Sequence, residues 1–92
     1  MKKVKLNNIE YEVIKDYKDS FNSEELLEKF TDYFEPYDYV LGDYAYSKLR
    51  LKGFYDSDNK NATKINDINF LDEYIKNYCA YDCGYFLIKK NK

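Results

Sequence analysis

A chain of ninety-two residues is one domain's worth of polypeptide, with twelve Tyr and six Phe but no Trp to supply its large apolar side chains. Fifteen basic residues stand against seventeen acidic ones, and this balance lacks the basic excess of dedicated nucleic-acid modules. There is no His, which excludes Ser-His-Asp, Cys-His and His-metal chemistry within the chain.

The size is near the lower limit for unstapled folding, where roughly 60–65% of the unfolded chain's surface becomes buried. Each buried aromatic ring removes about 150–250 Å² from water, so the Tyr and Phe content can anchor a small core. Two cysteines, Cys79 and Cys83, are too few for a disulfide scaffold. No apolar run follows the charged start Met1 to Leu6, and no stretch approaches the roughly 18–20 apolar residues of a membrane span. These features lead to the expectation of a single cytoplasmic domain, residues 1–92, with no cofactor and no membrane partner.

In chain order, Val4 and Leu6 alternate with Lys, and Ile9, Tyr11 and Val13 alternate with Glu. Asn7-Asn8 lies between these runs and tolerates the positive φ of a tight turn, so residues 4–14 are predicted as a β-hairpin. Lys15 to Ser20 is polar and reads as a loop. A helix is predicted over residues 23–34. Asn22 caps it, Glu25 can complete a capping box, and Phe21 can staple against Leu26. Leu26, Leu27, Phe30, Tyr33 and Phe34 form its apolar stripe, and Pro36 stops it.

Tyr37 to Leu41 reads as a short strand ending at Gly42-Asp43. Tyr46 to Tyr55 reads as a longer one, with Leu49, Leu51, Gly53 and Tyr55 on one face and Lys48, Arg50, Lys52 and Phe54 on the other. Gly53 within this run indicates a bulge or a close backbone approach. The hydrophilic segment 56–61 is a loop. Asp67 or Asn69 caps a second helix carrying Phe70, Leu71, Tyr74, Ile75, Tyr78 and Cys79, and Tyr85 to Ile88 is the last strand. The expected fold is therefore α+β in the order β-β-α-β-β-α-β, with a mostly antiparallel sheet and both helices on one face.

Two groups of residues carry chemical signals. Asp43, Tyr44, Tyr46, Arg50, Lys52 and Phe54 cluster cations and rings around one strand, as binding surfaces often do. Their expected partner is another cytosolic protein. RNA is the weaker reading, since rings on a basic sheet can stack bases but Lys52-Gly53-Phe54-Tyr55 matches only the start of an RNA-recognition motif. Alternatively, this is a solvated face whose cations pair across the sheet. Arg50 is the sole arginine, and Asp43 and Asp38 are its candidate partners. Asp56 and Asp58 lack the remaining ligands of a calcium loop and are expected to face solvent.

The second group is Cys79 and Cys83, the basis of an alternative redox or sulfur-handling reading. Three residues separate them, and Cys79 falls at a helix C-terminus, where the dipole disfavours a thiolate. The competing reading is two small apolar residues packed at a helix-to-strand turn. A metal site would need further ligands, and the chain has neither His nor a third Cys.

Several separated blocks carry a resemblance: residues 37–43, residues 49–55, and Leu71 to Ile75 with Tyr78, Cys79, Cys83 and Tyr85-Phe86. Together with Ile9 to Ile14 and Phe21-Asn22, they resemble the YutD-like family of small proteins from Gram-positive bacteria and their relatives. The resemblance implies an α+β fold and supplies no catalytic residue, substrate or cofactor.

Overall fold

A computed structural model describes residues 2–45, 48–78 and 84–91. Strands β1 (Lys3–Leu6) and β2 (Ile9–Tyr17) precede helix α1 (Ser23–Lys29) and a 3-10 turn, Asp32–Phe34. Strands β3 (Tyr39–Ala45) and β4 (Lys48–Phe54) follow, then a 3-10 turn, Ile68–Phe70, that leads into helix α2 (Leu71–Tyr78), and finally strand β5 (Tyr85–Lys90). The strands form one five-stranded sheet in the order β1-β2-β5-β3-β4, with every neighbouring pair antiparallel. The predicted α+β class and element order are those observed.

Local sequence explains the element ends. Asn7 and Asn8 both take positive φ, which closes the β1–β2 hairpin with Leu6 opposite Ile9. Glu25 N–H donates to Asn22 Oδ1 at 3.1 Å, the expected cap of α1. That helix ends at Lys29 because Phe30 turns extended and its buried ring meets Tyr11 edge-on at 5.6 Å. The remainder of the predicted 23–34 helix is a short 3-10 turn, so its stripe is only partly core: Leu26 and Phe30 are buried, whereas Leu27 and Tyr33 face solvent. Asp67 caps the turn before α2 by accepting from Asn69 N–H at 2.9 Å.

Three strands are longer than expected. β2 continues to Tyr17 through a bulge between Val13 and Lys15, β3 continues past Gly42-Asp43 to Ala45, and β5 continues to Lys90. Gly42 belongs inside its strand because the Phe86 ring occupies the space a Cβ would need. Gly53 likewise lies against the Tyr37 ring, which is the close approach anticipated for it.

The expectation of both helices on one face is corrected. Val40, Phe86 and Ile88 point into a core closed by Leu26 and Phe30 from the α1 side. Leu41 and Leu87, their intervening neighbours, point into a second core closed by Phe54 and by Leu71 of α2. Alternate residues of a strand face opposite sides, so α1 and α2 cover opposite faces. β5 and β3 lie inside the sheet and are buried on both sides. β4 is an edge strand, at the end of the sheet away from β1.

Candidate binding surface on β3 and β4

The structure brings together three of the six residues predicted as a binding group, Asp43, Arg50 and Lys52. Asp43 and Arg50 are direct cross-strand partners, and both lie on the α2 face. Arg50 Nη2 donates to Asp43 Oδ2 at 2.8 Å and Nε donates to Oδ1 at 3.2 Å. This is a two-pronged guanidinium–carboxylate contact. The Asp43 side chain is 4% exposed and that of Arg50 is 46% exposed, so the pair anchors at one end and meets water at the other. Asp38, the other candidate partner for Arg50, is buried and accepts from Asp56 N–H at 2.8 Å and Asn59 Nδ2 at 3.0 Å, holding the 56–59 loop.

Lys52, two residues along the same face, carries its ammonium 5.3 Å from the Phe54 ring centroid and 5.8 Å from that of Tyr74 on α2. Its stem is half-buried beside these rings while the charge stays at the rim. Lys48 continues the row and is exposed. The edge strand thus presents Lys48, Arg50 and Lys52 along one side, with α2 rising beyond them.

Two predicted members are displaced from this surface. Phe54 is fully buried, packed edge-on against Tyr74 at 5.7 Å; it belongs to the α2-side core and is corrected from a contact residue to an architectural one. The α2 helix covers the end of the strand face that sequence alternation left open. Tyr44 lies on the opposite face, packed against the α1-side core, and its hydroxyl donates to Glu25 Oε1 at 3.2 Å. Burial, reinforced by the Glu25 charge, raises the Tyr44 pKa. Glu25 therefore ties α1 to β3 through this bond. Tyr46 lies outside the described residues, as do Cys79 and Cys83.

These positions remove the stacking platform that the RNA reading required at Phe54, because a buried ring cannot receive a base. Among the described residues, no group of three or more Cys, Asp or Glu is arranged to hold a metal ion. Asp58 is exposed and Asp56 is half-buried beside the Asp38 carboxylate.

A feature absent from the sequence reading is a polar cleft of about 290 Å³ lined by Glu12, Asp38, Asp56, Lys89, Lys90 and Asn91. Its walls come from β2, the residue before β3, the 56–59 loop, and the end of β5 with the residue after it. The Lys90 ammonium donates to the Glu35 carbonyl, Asn91 Nδ2 donates to Glu10 Oε1 at 2.8 Å, and the Lys89 ammonium lies 5.7 Å from the Tyr39 ring. These contacts tie the last residues to the sheet. No local motif could announce the cleft, since its walls come from separate segments.

Among the described residues, no helix is long and apolar enough to cross a membrane. Comparison with known proteins gives a consistent match. A family model described as "Putative antitoxin YutD-like" covers residues 5–89. The chain is 44% identical over 85 residues to a Bacillus subtilis (strain 168) protein described as "Putative antitoxin YutD", an alignment spanning 92% of this chain and 93% of that one. It also superimposes on the solution NMR structure of the B. subtilis protein yutD with a TM-score of 0.83 and 40% identity, covering 100% of this chain and 84% of the other. With its five-stranded antiparallel sheet, its buried Asp43 carboxylate and its edge-strand cations, the protein belongs to the YutD-like family.

Proposed function

We propose that this domain works by binding another protein, through the cationic edge strand β4, and does no chemistry of its own. The observation that carries this reading is the row Lys48, Arg50 and Lys52 on the outermost strand. Within the row, Arg50 is held by the buried Asp43 carboxylate and Lys52 by the Phe54–Tyr74 cluster. A buried anchor beneath an exposed cation orders the group before contact, which lowers the entropy lost on binding. The description of the B. subtilis relative, "Putative antitoxin YutD", fits a role exercised by engaging a partner. Like that role, a cytosolic setting is part of the proposal.

The test is affinity capture from bacterial lysate with the wild type and with Lys48→Glu/Lys52→Glu, after nuclease treatment. The exposed Lys48 and the rim ammonium of Lys52 can be reversed without touching the Asp43–Arg50 pair. A protein retained by the wild type and lost from the variant, at matching melting temperatures, is the expected result. Identical proteins on both baits, or capture abolished by nuclease, overturns the reading.

A further inference from the structure

The outer edge of β4 has a definite hydrogen-bonding polarity. Tyr55 N–H donates to the Asn66 carbonyl at 2.7 Å, and the Tyr55 carbonyl accepts from Ile68 N–H at 2.8 Å. Both Tyr55 groups therefore point away from β3. Backbone groups alternate sides along a strand, so those of Gly53, Leu51 and Leu49 also point outward. β3 gives an independent check. Tyr44 N–H donates to the Gly84 carbonyl at 3.2 Å, and the Asp38 carbonyl accepts from Lys90 N–H at 2.8 Å. Even-numbered positions there turn to β5, which leaves Tyr39, Leu41 and Asp43 to pair with Phe54, Lys52 and Arg50.

Three N–H and three C=O groups of β4, at residues 49, 51 and 53, thus form an outward-pointing ladder about 14–17 Å long, half-buried at Leu51 and buried at Leu49 and Gly53. Among the described residues, no backbone hydrogen bond takes these groups. Where the ladder ends, the chain itself continues it: Tyr55 and Asp67 form a parallel bridge on that same outer side. The groups at Leu49, Leu51 and Gly53 thus point where an added strand would bond.

From this geometry we infer that a partner binds by adding an extended segment to the outer edge of β4, and that the segment alternates acidic and apolar residues. The inference rests on the reading of β4 as a protein-binding surface and specifies the partner's chemistry. Cross-strand neighbours share a face, so side chains on the α2 side of the added strand meet Lys48, Arg50 and Lys52. Those on the other side lie beside Leu49 and Leu51, which pack into the α1-side core. Acidic residues suit the first row and apolar ones the second. A second copy of β4 fits poorly, because antiparallel pairing about a two-fold axis sets the two cationic rows side by side, and like charges across strands are destabilising.

The experiment is an NMR titration of the ¹⁵N-labelled domain with a short synthetic peptide alternating Glu and Val. Strand addition slows amide exchange at Leu49, Leu51 and Gly53 by about tenfold or more, with little change at Arg50 and Lys52, whose amides already bond to β3. Replacing Glu by Lys weakens binding by about tenfold or more. N-methylating one alternate set of peptide amides does the same, while the complementary set leaves binding intact. Binding with unprotected outward amides, or with equal tolerance of both methylation patterns, overturns strand addition and leaves the cationic surface standing. Absence of binding overturns the acidic-strand inference, while capture from lysate decides the broader reading separately.

Discussion

Tyr11 offers a sharp test of the core. It is fully buried at the junction of β2 and α1, its ring packs edge-on against Phe30, and its hydroxyl has no hydrogen-bond partner among the described residues. Burial, with the Glu35 charge adding to it, pushes the hydroxyl pKa up to about 12. An unpartnered buried hydroxyl costs roughly 1–3 kcal/mol. Replacing Tyr11 with Phe removes that cost and keeps the ring contacts. The vacated atom leaves about 10–15 Å³, worth roughly 0.3 kcal/mol at about 24 cal/mol per Å³. The expected net gain is about 1–2 kcal/mol. In a domain of this size each kcal/mol moves the melting temperature by about 4–8 °C, so a thermal melt followed by circular dichroism resolves it. A lower melting temperature for Tyr11→Phe would mean instead that the hydroxyl is bonded in the folded protein.

Gly42→Ala drives a methyl into the Phe86 ring and should cost about 1–3 kcal/mol; an unchanged denaturation midpoint would contradict that packing. Arg50→Ala leaves the Asp43 carboxylate buried without its two-pronged partner and should cost roughly 1–3 kcal/mol, with Arg50→Lys recovering part of the loss. Tyr11 and Tyr37 both have pKa values raised from 10.0 to about 12, Tyr11 mainly by burial and Tyr37 mainly by its hydrogen bond to Tyr33. The folded state therefore holds these protons after the unfolded chain has released them. Their stability contribution is complete below pH 10 and declines between pH 10 and about 12. Urea midpoints across that range should fall, and less so in Tyr11→Phe; a flat profile would rule this out.

Features set by a few neighbouring residues were readable in advance. Asn7-Asn8 closes its hairpin, Asn22 and Asp67 cap their turns, Gly53 admits a neighbouring ring, and Asp43 meets Arg50. Features set across the sheet were not. The two helices lie on opposite faces because β3 and β5 are central and apolar on both sides. The continuous runs Tyr39-Val40-Leu41 and Phe86-Leu87-Ile88 carried that signal, as near-continuous apolar strands do. The end of α1 was hidden because Phe30 keeps its helical-stripe position while its backbone turns extended to meet Tyr11. Phe54 was placed on the correct strand face, but the sequence does not show that α2 covers that end of it. The outward-pointing ladder at Leu49, Leu51 and Gly53 consists of main-chain groups, which side-chain patterns leave unmarked.

Hydrogen exchange by mass spectrometry, on the domain alone and in complex with the protein captured from lysate, tests whether a protein partner binds at β4. Protection is expected along residues 48–54. Unchanged exchange there, with protection gained elsewhere on the domain, would contradict it.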